Sequence, residues 1–216
     1  MTRTDPIPTP VRQTKRKWRG WWLKQLHMWH WMSAAVALIG MLLFAATGIT
    51  LNHAAMIGAT PVVQERAGVL PPPLRALIAT PSTSEGPLPP SMSAAVERSV
   101  GLDPAGKAGE WSDTDVYVAL PRPGGDAWVS IDRASGRITA EDTDRGWIAY
   151  LNDLHKGRNA GGAWAWFIDL FAGVCILFTL TGLLLLHLHA RHRRLTWPIV
   201  AAGAVIPIIL LILFVH

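Results

Sequence analysis

The sequence predicts a mainly α membrane protein in which three transmembrane helices carry a small α+β domain inserted between helices 1 and 2. Three observations predict it. Half of the 216 residues are hydrophobic and mean hydropathy is positive, a membrane-protein composition. Three apolar stretches, Ser33 to Leu51, Ala163 to Leu186 and Trp197 to Val215, approach or exceed the roughly 20 residues that a bilayer core requires. The net charge of +5 divides by compartment: residues 1–32 hold seven Lys and Arg against Asp5 alone, and Arg191, Arg193 and Arg194 follow the second stretch without an acid. Between the first two stretches ten basic residues face thirteen acidic ones. The positive-inside rule therefore places the N-terminus and the arginine link in the cytoplasm, and residues 54–162 and the C-terminus outside.

In chain order, residues 1–26 read as a basic cytoplasmic tail that turns helical near Arg19. Residues 27–53 form transmembrane helix 1. It is no cleavable signal peptide, because it is too long and Asn52 and His53 follow it in place of a small-residue cleavage site. Residues 54–90 are a Pro-rich connector, with Pro71 to Pro73 and Pro81 to Pro90 favouring irregular chain. A short helix is expected there over Gln64–Gly68 or Leu74–Ala79.

Residues 91–145 change texture. Met92 to Val100 has apolar residues at helical spacing. Asp115–Leu120 and Ala127–Ile131 alternate like strands around a Gly124-Gly125 turn, and Ala134-Ser135-Gly136 turns into a short strand over Arg137–Ala140. A unit of about 55 residues is marginal alone, so it is expected to pack on the connector, the membrane ends or a partner chain. Residues 146–162 form an amphipathic helix to His155 and then a glycine-rich lead. Residues 163–189 are helix 2, 190–195 a basic cytoplasmic link, and 196–216 helix 3, with Pro198 in its first turn and a kink expected at Pro207.

Tryptophans mark the boundaries: Trp18, Trp21, Trp22, Trp29 and Trp31 at the start of helix 1, Trp164 and Trp166 at helix 2, Trp197 at helix 3. These are aromatic-belt positions, which argues against base stacking. The basic tail reads as an anchor on anionic lipid, and no nucleic-acid partner is expected. Cys175, the single cysteine, lies inside helix 2, so no intrachain disulfide holds the external region, and the Cys-x-x-Cys-His attachment of a c-type haem is absent.

Histidines sit at both ends of helices 1 and 2. His27, His30, His187, His189 and His192 lie on the cytoplasmic side, and His53 and His155 on the outer side. Imidazole is the commonest nitrogen ligand of metals and of haem iron, so two helices with a histidine near each face can clamp one or two non-covalent b haems. On an ideal helix His27 and His53 differ by about 80° and His30 and His53 by about 140°, which favours His27. His187 lies nearest the apolar stretch, whereas His189 and His192 lean toward the arginine link. The ligand set is therefore His27 and His187 inside, His53 and His155 outside, with His30, His189 and His192 as substitutes. A polar-tipped ring is also at ease at headgroup level, and His53 after Asn52 also suits a helix end. A helix from His27 to His53 would span about 39 Å, so either it breaks near Thr47-Gly48 or a single haem is held. Asp169, inside helix 2, is an expensive acid. It suits a hydrogen-bond acceptor that orients a ligand histidine, or a partner for Arg158, Lys156, His53 or a tryptophan N–H from helix 1 or 3. Gly48, Gly173 and Gly182, with Thr47, Thr179 and Thr181, permit close approach of helices or of a flat ring.

Several of these segments together resemble the PepSY-associated transmembrane helix family, in its short, single-PepSY branch. Leu23-Lys24-Gln25-Leu26-His27-Met28-Trp29 resembles the start of its first helix, and Thr47-Gly48-Ile49-Thr50-Leu51-Asn52-His53 the end. Val129 to Ile138 is similar to the last hairpin of a PepSY domain. Asp153-Leu154-His155-Lys156-Gly157-Arg158 with Trp164 to Leu170 resembles the start of the second helix, and Leu180-Thr181-Gly182-Leu183 its end. The resemblance implies a bacterial inner-membrane protein with residues 91–145 as a periplasmic PepSY-like domain. Relatives in that superfamily include b-haem reductases of periplasmic ferric siderophores, which implies a ferric reductase or its electron-transfer subunit here. Other relatives imply a non-redox accessory protein whose PepSY-like domain binds a periplasmic partner or restrains a protease.

No dinucleotide fingerprint is present, so a dehydrogenase or the quinol pool is expected to donate electrons. Gly58-Ala59-Thr60 faintly resembles a covalent FMN site, but the residues expected before it are missing, so FMN is not expected. No nucleophile pairs with a base in the external region, and hydrolysis is not expected. Ala- and Gly-rich helices would permit a homodimer.

Overall fold

A computed structural model describes residues 11–58, 60–79, 85–190 and 193–215, with side chains from residue 17 onward. Arg191, His192, Ala59 and the basic side chains before Lys17 lie outside the described residues. The elements run α1 (Val11–Asn52), β1 (Val62–Val69), α2 (Pro72–Ala79), β2 (Gly86–Pro87), α3 (Pro90–Val100), β3 (Ala108–Trp111), β4 (Asp115–Ala119), β5 (Gly125–Asp132), β6 (Arg137–Asp144), α4 (Gly146–Lys156), α5 (Gly162–His189) and α6 (Thr196–Phe214). Two compact units emerge, one from residues up to Met41 with Asp169 onward, the other Leu42–Ile168.

Among the described residues three helices have segments long and apolar enough to cross a membrane: Lys17–Asn52 of α1, all of α5 and all of α6. Their large apolar side chains are mostly exposed, among them Leu42, Leu170, Ile199 and Phe214. Only lipid makes that exposure tolerable, so this is a multi-pass membrane protein. Small residues set the approach of α1 to α5. A Cβ on Gly40 would lie 2.3 Å from Phe171 Cε2, and Ser33, Ala37 and Thr181 are buried. α1 is longer than the 27–53 reading: it starts at Val11 and runs unbroken through Thr47-Gly48. α6 continues past Pro207 as one helix.

In the second unit six antiparallel strands form one sheet in the order β1-β6-β5-β4-β3-β2. The sheet class and α3 follow the sequence reading, as does α2 over Leu74–Ala79. Gln64–Gly68 is not a helix. It lies in β1, whose eight residues pair with β6 from Val62↔Asp144 to Val69↔Arg137. Gln64, Glu65 and Arg66 interrupt its apolar pattern, because an edge strand with both faces largely exposed carries no period-2 signal. β6 continues to Asp144 because β1 and β5 pair with it on either side and hold polar residues such as Glu141 and Asp142 in the ladder. The segment read as a connector thus supplies β1, α2, β2 and three core side chains, Leu70, Ile78 and Leu88. They join Met92, Val96 and Val100 of α3 against Val116, Val118, Val129, Ile131 and Ile138. The connector completes a core too small to stand on residues 91–145 alone.

Polar ties finish the unit. Arg133, 5% exposed, donates from Nε to the Ile78 carbonyl at 2.8 Å and from Nη1 to the Ser112 carbonyl. Asp115 accepts from Ser112 Oγ at 2.6 Å and Ser130 Oγ at 2.9 Å. These hydrogen bonds, Ser112 first, hold its carboxyl below the ordinary 3.8. Ser135 lowers Asp132 in the same way, through side chain and backbone. A depressed carboxyl adds stability that is complete above its unfolded value and fades as pH falls through the folded one. The sheet unit is therefore expected to keep its unfolding midpoint down to about pH 5 and to lose stability below about pH 4. Asp115→Asn flattens that acid limb in a pH series of thermal melts; an unchanged limb would contradict the assignment.

Candidate functional site

Two histidines meet across α1 and α5. The rings of His27 and His189 have centroids 5.7 Å apart and planes at 87°. Each ring is fixed by its own helix: His27 Nδ1 donates to the Leu23 carbonyl at 2.8 Å, and His189 Nδ1 to the Leu185 carbonyl at 2.8 Å. A carbonyl only accepts, so Nδ1 carries a proton, and in the neutral ring Nε2 is the nitrogen with the lone pair. That tautomer, held by a backbone acceptor, is the one a metal-ligating histidine carries.

The sequence favours His187 as the partner of His27; the structure seats His189 there. Residues two apart on a helix point about 160° away from each other, so only one of the pair can face α1. His187 turns instead to Trp197 of α6, with ring centroids 5.6 Å apart. A signal for this was present. Gly182 faces α1, since a Cβ there would lie 3.2 Å from His30 Cε1. His189, seven residues on, shares that stripe to within about 20°, whereas His187 is about 140° away.

His30 is a packing residue. Thr181 Oγ1 donates to the Leu177 carbonyl at 2.7 Å, and its remaining lone pair accepts from His30 Nδ1 at 3.1 Å. The ring lies flat on Phe178, 4.8 Å between centroids. Thr181→Val is expected to lower stability by about 1 kcal/mol, a typical cost for one hydrogen bond between membrane helices. Thermal unfolding in detergent reads this, with Thr181→Ser keeping the wild-type midpoint.

The second unit repeats the device. Thr47 Oγ1 donates to the Leu43 carbonyl at 2.9 Å and accepts from His155 Nδ1 of α4 at 2.7 Å. A Cβ on Gly48 would lie 3.6 Å from His155 Cε1, and Phe44 flanks the ring at 5.1 Å. Thr-Gly thus forms a histidine seat twice, a role beyond the close packing read from the sequence. One turn away Thr50 Oγ1 donates to Asn152 Oδ1 at 2.9 Å. Buried Asp153 anchors the same helix: it accepts from the Gly124 N–H at 2.9 Å and pairs with Arg145 and Arg158 at 3.3 Å each.

His53 is not brought to His155. It closes α1, with Nδ1 donating to the Ile49 carbonyl at 2.9 Å. It lies about 120° around the helix from Thr47, and no ring contact or hydrogen bond joins it to His155 among the described residues. Asp169 is exposed on α5 and, among the described residues, has no hydrogen bond or ion pair. One of its expected partners, Arg158, is engaged elsewhere, with Asp153.

Among the described residues no three His, Cys, Asp or Glu side chains are grouped to hold a bare metal ion. A pair of imidazoles suits instead a metal whose other ligands come from a macrocycle. Two imidazoles on one iron set their centroids on the order of 6 Å apart, from two metal–nitrogen bonds of about 2 Å and two ring radii of about 1 Å. The His27 and His189 centroids lie near that distance.

No curated protein and no solved structure matches the chain. The family model described as "Putative PepSY_TM-like" matches residues 21–216.

Proposed function

Because the chain belongs to the PepSY_TM-like family, we propose that it is a b-haem electron-transfer protein of the bacterial inner membrane. It passes electrons from the cytoplasmic side or the quinol pool to a periplasmic acceptor such as a ferric siderophore. The observation that carries this reading is the His27–His189 pair, two rings at 5.7 Å from two helices, each locked in the tautomer that frees Nε2. His27 and His189 would hold the iron. The Leu23 and Leu185 carbonyls orient the rings and, by accepting the Nδ1 proton, make each Nε2 a stronger donor. Haem, when bound, supplies a one-electron couple between ferric and ferrous iron.

One haem is proposed, not two, because His53 and His155 are turned to separate partners. The charge asymmetry supports a cytoplasmic N-terminus, with residues 54–162 and the C-terminus in the periplasm. The sheet unit, PepSY-like and periplasmic, would then face the acceptor.

A non-redox accessory role is supported by one observation. β1 is an eight-residue sheet edge with Val62, Val63 and Val69 exposed, a surface suited to strand addition by a partner. The two readings separate on colour. Protein purified in detergent from haem-replete cells is expected to show a b-type spectrum that sharpens on dithionite reduction, with one haem per chain by pyridine haemochrome. Colourless protein rejects electron transfer and leaves the accessory role.

A further inference from the structure

A second cluster lies on the membrane unit, and its lining includes neither His27 nor His189. Arg19 of α1, Arg193 and Arg194 of the α5–α6 turn, His187 and Trp197 line one cavity of about 460 Å³. None of the three guanidiniums has a hydrogen bond or an ion pair among the described residues. The sequence offers them almost none: in residues 1–53 and 163–216 the only carboxylates are Asp5 and Asp169. Asp169 sits twenty residues along α5 from His189, about 30 Å of helix. Three converging cations with no internal counter-charge call for an anion from outside the chain, and guanidinium forks match phosphate oxygens in pairs.

The surroundings select the source of that phosphate. α6 starts beside the cavity at Thr196, so its positive dipole end adds to the same field. Leu195 supplies no side-chain cap. The next residues are a belt tryptophan, Trp197, and an exposed apolar run from Ile199, with no buried residue anywhere on α6. A soluble phosphate has no use for that run, but acyl chains do. We propose that this cavity is a binding site for the headgroup phosphate of an anionic phospholipid, whose chains lie along α6. The site is independent of the haem reading: His187, which the sequence offers as a ligand, belongs to it instead.

The test is lipid retention by the full chain. Protein is reconstituted in phosphatidylcholine vesicles containing phosphatidylglycerol, extracted in mild detergent and weighed by native mass spectrometry. Wild type is expected to keep one phosphatidylglycerol per chain. Arg193→Gln with Arg194→Gln weakens retention about thirtyfold, from two lost basic contacts. Arg193→Lys with Arg194→Lys keeps the charge and stays within about tenfold of wild type. Lys17→Gln with Lys24→Gln removes equal charge outside the cavity and leaves retention unchanged. Equal loss in the Gln pairs inside and outside the cavity overturns the site, because charge alone would then explain binding. Displacement of the lipid by millimolar inorganic phosphate overturns the lipid as source and assigns the cavity to a soluble phosphate.

Discussion

His27→Ala and His189→Ala are each expected to abolish the b-type absorbance of the purified protein, while His187→Ala, His53→Ala and His155→Ala keep it. The effect is expected to be close to all-or-none because two imidazoles would hold the group, and removing one takes away half of what the protein contributes. Even a lost partner of a ligand histidine costs roughly 10–100-fold in metal affinity, and a lost ligand costs more. The contrast between His187 and His189 discriminates most sharply. Two residues apart on α5, one lies on His27 and the other on Trp197, so a general loss of helix packing would not separate them. Reduced-minus-oxidised spectra normalised to protein decide the matter. If His189→Ala keeps its colour and His187→Ala bleaches, the pairing is wrong. If both keep it, iron is held elsewhere.

Asp153→Ala is expected to destabilise the sheet unit by about 2–3 kcal/mol: the carboxylate is buried and hydrogen-bonded, but the Arg145 and Arg158 side chains are 35% and 50% exposed, so water screens the charges left behind. Asp153 is 6% exposed and joins three segments: the Gly124 turn by its N–H, Arg145 ahead of α4 and Arg158 after it. Truncation takes the carboxylate from two guanidiniums. Arg145 keeps the Gly125 carbonyl, 3.3 Å from Nη2, while its Nε is already buried without a partner. Asp153→Asn keeps an acceptor for Gly124 but loses the charge, and falls between wild type and alanine. Denaturant unfolding of the full chain in detergent measures this. A shift below about 1 kcal/mol would mean that the carboxylate is solvated rather than buried.

Much of this was legible in the sequence because the strongest signals are local. The three apolar runs gave the membrane helices, and Met92, Val96 and Val100 gave α3. What stayed hidden depends on distant partners. β1 reads as polar connector because its justification is β6, a strand that itself extends beyond its apolar half. The histidines were visible as chemistry but not as pairs. Distance from the apolar run favours His187, while the packing stripe through Gly182 favours His189, and only the stripe reports which face meets α1. Thr47-Gly48 and Thr181-Gly182 were legible as places of close approach. That each seats an imidazole from another helix was not, since His30 and His155 lie more than a hundred residues from their threonines.

The pairing of β1 with β6 also sets a timetable. Val69 and Arg137, the nearest partners along the chain, are 68 residues apart. At ribosomal rates of about 5–20 residues per second, β1 waits roughly 3–14 seconds after its own synthesis before β6 exists. Through that interval its valines and its backbone donors have no strand to receive them. α1 is already made and α5 is not, so the nascent chain is held to the bilayer by a single helix while the sheet is incomplete. The order of synthesis therefore makes every strand of the sheet available before the second membrane helix is complete.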